Sequence, residues 1–335
     1  MPSMLKQFRR RITDAITNAL TPLAVKCLGG CSDKCANKLA NATACLFKTF
    51  RTEAYKTILA NLEVAFRDLD DKQRKELADR NLRHTARLAI ECIKLLKHPE
   101  QFLENASLDS EKLKALDQNK AFIFALPHLG NWEVFGQAAP KAGIKSAAIA
   151  GTFRDQKLNQ LIENARSANG LYIIPKEGAA RKVLSALRNG YAVGFLPDQN
   201  LSPADSGAFL EFFGLPAPSS ILHAVLARRL DIPVIVGATV RDKDGNFLLE
   251  VETLPKETKD YGSDHELAQD VLKASEKLIR KYPEQYLWNY KRWRRIPENA
   301  SDAIRQRFPY YAENKKQSCP QDLLDKIENQ IKQEK

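Results

Sequence analysis

From residue 119 onward, short apolar runs alternate with longer segments that have helical periodicity. Strands that alternate with helices usually pair in parallel, because each helix returns the chain to the same end of the sheet. Asp244-Gly245 breaks this pattern and predicts a hairpin between two antiparallel strands. The sequence therefore predicts an α/β fold with a mixed, largely parallel central sheet flanked by helices. The predicted strands lie at residues 121–126, 146–150, 171–174, 192–196, 234–240 and 247–251.

The rest of the chain differs from this alternating region. Residues 31–98 have helical periodicity throughout, and residues 297–335 are polar and rich in lysine. We therefore divide the chain into three predicted parts: a helical, membrane-associating region over 1–118, an α/β core over 119–296 and a polar C-terminal tail over 297–335. The tail is expected to form a loose surface helix.

His128 follows the first predicted strand directly after Pro127, which cannot donate to a sheet ladder. Glu133 comes five residues later, and on one straight helix the two would point about 140° apart. A turn before the helix, at Pro127 and Gly130, would let Glu133 hold one ring nitrogen of His128 and leave the other to accept a proton. The alternative is a histidine that only closes the end of a strand.

Five ordered segments resemble the lipid A late acyltransferases, within the lysophospholipid acyltransferase superfamily. The segment HLGNWE is similar to the HxxxxD/E box of that superfamily. Four further segments resemble blocks of the same family in the same order, and together they cover about residues 5–296. These are NLEVAF at Asn61–Phe66, DQN at Asp198–Asn200, EFFGLPAPSS at Glu211–Ser220 and PEQYLWNYKRW at Pro283–Trp293.

The resemblance implies an O-acyltransferase. An acyl chain would pass from an acyl carrier protein or coenzyme A thioester to a hydroxyl of a lipid A precursor or related glycolipid. His128 would be the general base and Glu133 would fix its tautomer, with no bound cofactor or metal as co-catalyst. Two alternatives remain: an acyltransferase for a lysophospholipid or other membrane lipid, and a non-catalytic membrane-surface protein that keeps the fold. The implied substrate-binding residues are Arg166, Arg154, Asn131, Asp198 and Gln199.

The charge and hydropathy of the chain favour a membrane partner. Lysine and arginine outnumber acidic residues by 52 to 41, which gives a net charge of +11. No motif of a nucleic-acid-binding fold accompanies this charge, so anionic lipid ranks first. Residues 4–23 have the pattern of a basic amphipathic helix, which can lie in a membrane interface or pack on its own domain. With no long apolar run and no signal peptide, we expect a peripheral protein on the cytoplasmic face of the inner membrane.

Six cysteines indicate a reducing compartment. Cys27, Cys31 and Cys35 are spaced four residues apart, which places them on one helix face. Metal sites more often have closer cysteine pairs and further ligands. We therefore expect these three cysteines to be small buried packing residues.

Overall fold

A computed structural model describes residues 22–100, 102–103, 120–151 and 155–334. Within the described residues, the N-terminal region has a helical segment at 22–28 and three further helices, each of which begins at a side-chain cap. Ser32, Thr52 and Asp70 accept hydrogen bonds from backbone N–H groups in the first turn of their helices. Most of the predicted amphipathic segment at 4–23 and of the connection at 99–118 lies outside the described residues. The three helices are α1 (Asp33–Thr49), α2 (Glu53–Ala65) and α3 (Asp71–Lys97).

A six-stranded sheet forms the centre of the fold and confirms the predicted fold class. Its spatial order is β3-β2-β4-β1-β7-β8, and every pairing is parallel except that of β7 with β8. The Asp244-Gly245 hairpin joins these two antiparallel strands, as predicted. The strands are β1 (Phe122–Ala125), β2 (Ser146–Ala150), β3 (Tyr172–Pro175), β4 (Ala192–Phe195), β7 (Val234–Arg241) and β8 (Phe247–Glu252).

Helices cover both faces of this sheet. One face packs on α4, which contributes Val134 and Phe135 to a cluster with Phe122 and Phe124. The other face belongs to the main core, which includes α8 residues such as Leu267. The helices of this region are α4 (Trp132–Lys141), α5 (Gln156–Ser167), α6 (Ala179–Arg188), α7 (Leu222–Leu230) and α8 (Asp264–Lys281).

A separate hairpin interrupts the alternation. Strands β5 (Gly207–Phe212) and β6 (Leu215–Ser220) pair antiparallel across a turn at Phe213-Gly214. The helix that follows this hairpin begins at Leu222. Pro216 and Pro218 argue against a strand at β6 when only the sequence is known, because proline cannot donate a hydrogen bond to a ladder and is rare in strands.

The C-terminal tail is packed on the protein, so the expectation of a loose surface helix was wrong. After a short strand β9 (Arg295–Ile296), the tail forms α9 (Asp302–Arg305), strand β10 (Glu313–Asn314) and α10 (Gln321–Gln333). Helix α10 buries Leu324, Ile327 and Ile331 in the main core. Lys326 also forms a 3.0 Å ion pair with Glu211 of β5. These contacts bind the tail to the β5–β6 hairpin.

No helix within the described ranges is both long enough and apolar enough to cross a bilayer.

Candidate active site

The loop after β1 is held by backbone hydrogen bonds from two other segments. Gly130 N–H donates to the Gln285 carbonyl at 3.0 Å, and Asn131 N–H donates to the Thr239 carbonyl at 2.7 Å. The His128 carbonyl accepts from Leu287 N–H at 2.9 Å. Gly130 has a φ of +67°, and a Cβ there would lie 1.9 Å from the Thr239 oxygen. Only glycine therefore fits this turn, which fixes the backbone that carries His128.

His128 is bonded to Asp198, which lies 70 residues away at the end of β4. The Nδ1 atom of His128 is 2.9 Å from Asp198 Oδ1, and the backbone N–H of His128 donates to Asp198 Oδ2 at 2.9 Å. Tyr286 O–H donates to the same Oδ2, also at 2.9 Å. Asp198 has no exposed surface. A buried carboxylate needs such donors, and here they lock the imidazole so that Nδ1 carries the proton.

The two groups shift each other's pKa in opposite directions. Burial alone would lower the pKa of His128, but the charge and hydrogen bond of Asp198 outweigh it and raise the pKa above its usual value. Burial alone would raise the pKa of Asp198, whereas the contacts with His128 lower it. The Asp198 carboxylate is therefore ionised beside an imidazole that is more basic than a free one.

The predicted contact between Glu133 and His128 is replaced by another pair. Arg166 NH2 donates to Glu133 Oε1 at 2.6 Å, and Arg166 Nε donates to Oε2 at 3.1 Å. Glu133 lies in the first turn of α4 and Arg166 in the last turn of α5. The prediction that Glu133 orients the histidine was wrong, because Asp198 from the neighbouring parallel strand already occupies Nδ1.

Asn131 caps the N-terminus of helix α4. Its side-chain oxygen accepts from the N–H groups of Glu133 and Val134, which begins α4. Its amide nitrogen donates to Glu91 of α3 at 2.8 Å, and Glu91 in turn accepts from Arg87 Nε. Asn131 is almost fully buried, so it positions the start of α4.

The remaining predicted binding residues are less well placed. Gln199 follows Asp198 directly but has an exposed side chain, and its N–H closes a turn onto the Leu196 carbonyl. Arg154 lies outside the described residues. Phe212 and Phe213, which could have lined an acyl channel, pack instead with Trp293 and Trp288 in the core.

Two aromatic rings flank the imidazole of His128. The edge of Trp132 meets it with ring centroids 5.2 Å apart, and Tyr290 stacks over it at 6.2 Å. The His128 side chain is 14% exposed. Its Nε2 atom has no hydrogen-bond partner among the described residues. This nitrogen is therefore the one available to a substrate.

An apolar cavity begins beside these groups. Its volume is about 120 Å³, and Trp132, Glu133 and Arg166 belong to its lining, whereas His128 does not. The rest of its wall is mostly apolar and comes from α4 and from the strands β1, β2, β3 and β4. Small residues in this wall leave room between the sheet and the helix. The apolar wall includes Phe124, Leu126, Phe135, Gly136, Ala148 and Gly194.

Metal-ligand clusters do not occur in the part of the chain that the structure describes. No group of three or more histidine, cysteine, aspartate or glutamate side chains within those ranges could hold a metal ion. The cysteine prediction was wrong in one respect: Cys27 and Cys35 are exposed and Cys31 is partly exposed, so they are not buried packing residues.

Comparison with known proteins identifies the family. The family model for bacterial lipid A biosynthesis acyltransferases matches residues 6–295. The chain belongs to this family. It is an acyltransferase by this membership, and the match covers β1, the His128 loop, Asp198 and Tyr286. The resemblance drawn from the sequence segments is confirmed.

Curated relatives of this acyltransferase are identical to it at about a quarter of the aligned positions. Lipid A biosynthesis acyltransferase 2 of Shigella flexneri is 24% identical over 75% of this chain and 81% of its own length. The lipid A biosynthesis palmitoleoyltransferase of Escherichia coli K12 is 26% identical over 72% and 79%. A phosphatidylinositol mannoside acyltransferase of Mycobacterium tuberculosis is 29% identical over 34% and 36%.

Sequence reasoning missed three residues around the acyltransferase site. Tyr286 and Tyr290 lie in the segment PEQYLWNYKRW, which we noted only as a family block. Glu91 lies in α3, far from the alternating region. Asp198 was predicted only as a substrate-binding residue, and the missing inference was that its carboxylate would reach the ring of His128.

Proposed function

We propose that this acyltransferase moves a fatty acyl chain from a thioester to a hydroxyl of a lipid A precursor or related glycolipid. The single observation that supports this chemistry is the 2.9 Å bond between His128 Nδ1 and Asp198 Oδ1, which leaves Nε2 available at the sheet edge. The donor would be acyl carrier protein or coenzyme A carrying the chain.

In the proposed reaction, Nε2 of His128 accepts the proton of the acceptor hydroxyl. The freed oxygen attacks the thioester carbonyl carbon and forms a tetrahedral oxyanion. The carbon–sulfur bond then breaks, and the leaving thiolate takes the proton back from the imidazolium. Asp198 holds the correct tautomer and offsets the positive charge while it exists. No acyl-enzyme forms, since the acceptor attacks the donor directly.

Arg166 would stabilise negative charge at the mouth of the cavity. The Glu133 contacts hold its guanidinium in place and raise its pKa above an already high value, although burial alone would lower it. An arginine that stays charged can bond to the oxyanion or to a phosphate of either substrate. Glu133 thus acts through Arg166 rather than through His128.

The apolar cavity would hold the acyl chain. Trp132 lines the cavity and its ring contacts that of His128, so an acyl chain that enters past Trp132 would carry its carbonyl near the base. The wall offers a thioester's hydrocarbon tail carbon contacts and removes it from water. The apolar wall favours a hydrocarbon group, and a volume of about 120 Å³ admits the few methylene groups nearest the carbonyl.

The acceptor has one specific alternative. The mycobacterial relative is named for a mannosylated phosphoinositide, so a glycolipid other than a lipid A precursor is the second candidate acceptor. A lysophospholipid remains a third. Family membership argues against a non-catalytic protein. We place the enzyme on the cytoplasmic face of the inner membrane, attached peripherally, because its acceptor is a membrane lipid.

A direct test uses a radiolabelled acyl donor, supplied as either carrier-protein or coenzyme A thioester, with a panel of the three acceptor classes. We expect transfer to a glycolipid hydroxyl. His128→Ala should lower kcat by about 10²- to 10⁴-fold, since it removes the general base. His265→Ala is the matched control, because His265 is exposed on α8. Equal activity of His128→Ala and wild type would refute the mechanism, and label bound covalently to the protein would refute direct transfer.

A further inference from the structure

Helix α1 exposes a row of large apolar side chains away from its packing face. The packing face consists of Ala36, Ala40 and Ala44, which are buried. Leu39, Leu46 and Phe50 recur at spacings of seven and four residues, which keeps them within about 40° of one another around the helix. Leu46 is 56% exposed and Phe50 is 75% exposed. Exposed apolar side chains in such a continuous row indicate an interaction surface.

Basic residues surround this row. Lys38 and Arg51 are both exposed, and neither forms an ion pair with another described residue. The only acidic residue between positions 34 and 56 is Glu53. Its carboxylate already accepts from Lys291 at 3.2 Å and from Tyr310 O–H at 2.8 Å. The surface therefore combines exposed carbon with uncompensated positive charge.

The same contacts connect this surface to the active-site side of the molecule. Tyr310 is 60% exposed beside Glu53. Lys291 directly follows Tyr290, whose ring stacks over His128. A partner that covers α1 and Tyr310 would consequently lie close to the segment that borders the proposed base.

We propose that the exposed row of α1, with Tyr310 and its basic rim, docks the protein on an anionic lipid bilayer. This docking surface is defined as Leu39, Leu46, Phe50 and Tyr310 with Lys38 and Arg51. Apolar side chains enter the interfacial region while cations contact lipid headgroups. The proposed acceptor is a membrane lipid, which makes a bilayer the partner that this surface would meet. The inference builds on the proposed membrane location and is independent of the proposed chemistry.

The test is sedimentation of the full chain with vesicles that contain phosphatidylglycerol. Leu46→Gln with Phe50→Gln should weaken binding at least about tenfold, because both side chains leave the interface. Lys38→Gln with Arg51→Gln should weaken it by about 10- to 30-fold on these vesicles at low salt. Tyr172→Gln, an exposed aromatic of the edge strand β3, is the control and should bind as wild type does.

Three results would overturn the inference. One is wild-type binding by the Leu46→Gln, Phe50→Gln variant, which would mean that another segment docks the protein. A second is equal binding of wild type to purely zwitterionic vesicles. The third is a dimer that this variant abolishes in light scattering while vesicle binding persists, which would assign the row to a second copy of the chain. None of these measurements depends on acyl transfer, so they leave the proposed reaction to its own test.

Discussion

Two carboxylates stand near the proposed base, and they are held in different ways. Asp198 is fully buried and accepts from a backbone N–H, a ring nitrogen and a phenol. Glu133 is 7% exposed, pairs with the single side chain of Arg166, and lies at a cavity. The carboxylate five residues from the histidine is thus not its partner. The HxxxxE motif is defined by proximity in the sequence. The contact of His128 with Asp198 instead arises because β1 pairs parallel with β4.

The largest expected effect is the difference in kcat between Asp198→Asn and Glu133→Gln. Asp198→Asn removes the charge that raises the pKa of His128 and should lower kcat by about 10²- to 10⁴-fold. Glu133→Gln should cost less, because the histidine keeps its partner. The measurement is kcat for both variants beside wild type.

The pH profiles of the same two variants sharpen the result. The base must be neutral, so kcat/KM should fall as the pH drops through the pKa of His128, which lies above the usual histidine value. Asp198→Asn should move this acidic limb to lower pH, and Glu133→Gln should leave it in place. A shift of the limb with Glu133→Gln alone would reverse the assignment.

A smaller effect is expected from the backbone that fixes the histidine. Gly130→Ala should destabilise the fold by about 1–2 kcal/mol for its positive φ, and by roughly 1–3 kcal/mol more for the contact with the Thr239 carbonyl. Gly178 is the matched control: its φ is +69° and no atom lies within 4 Å of the position that an added methyl group would take. Urea unfolding measures both variants. Equal losses would show that the loop can relax around the added methyl group.

The smallest effect concerns the pair of Glu133 with Arg166. Arg166→Met leaves a nearly buried carboxylate without its partner and should cost about 1–3 kcal/mol of stability, discounted because Arg166 is partly exposed. Adding Glu133→Gln to Arg166→Met should recover part of the loss. A double-mutant cycle in urea unfolding gives the coupling. If the two losses simply add, the pair contributes no stability of its own.

Much of the fold was predictable because its signals are local. The apolar runs of β1 and β4 and the hairpin at Asp244-Gly245 each depend on a few adjacent residues. The strand β6 was missed because its two prolines argue against a ladder. The docking of α10 was also missed, although Leu324, Ile327 and Ile331 recur at helical spacing in the sequence.

The site was only partly predictable, and the reason is physical. His128 was identified from its position after a strand, and Asp198 from the resemblance of its segment to a family block. Which carboxylate bonds to Nδ1 depends on side-chain distances across 70 residues of chain. Tyr286 comes from a third segment, and no local pattern indicates that its hydroxyl reaches Asp198.

Asp198 receives its hydrogen bonds from residues 128 and 286, which belong to distant stretches of the chain. Asn81 of α3 adds a fourth stretch, since its amide donates to the carbonyl of Tyr286 at 2.6 Å. Loosening any one of these stretches would disturb contacts that fix the imidazole even if the remainder of the protein stayed folded. Turnover by this enzyme is therefore also a sensitive assay of folding, and a variant that is inactive yet retains its helix content need not have lost a reacting group.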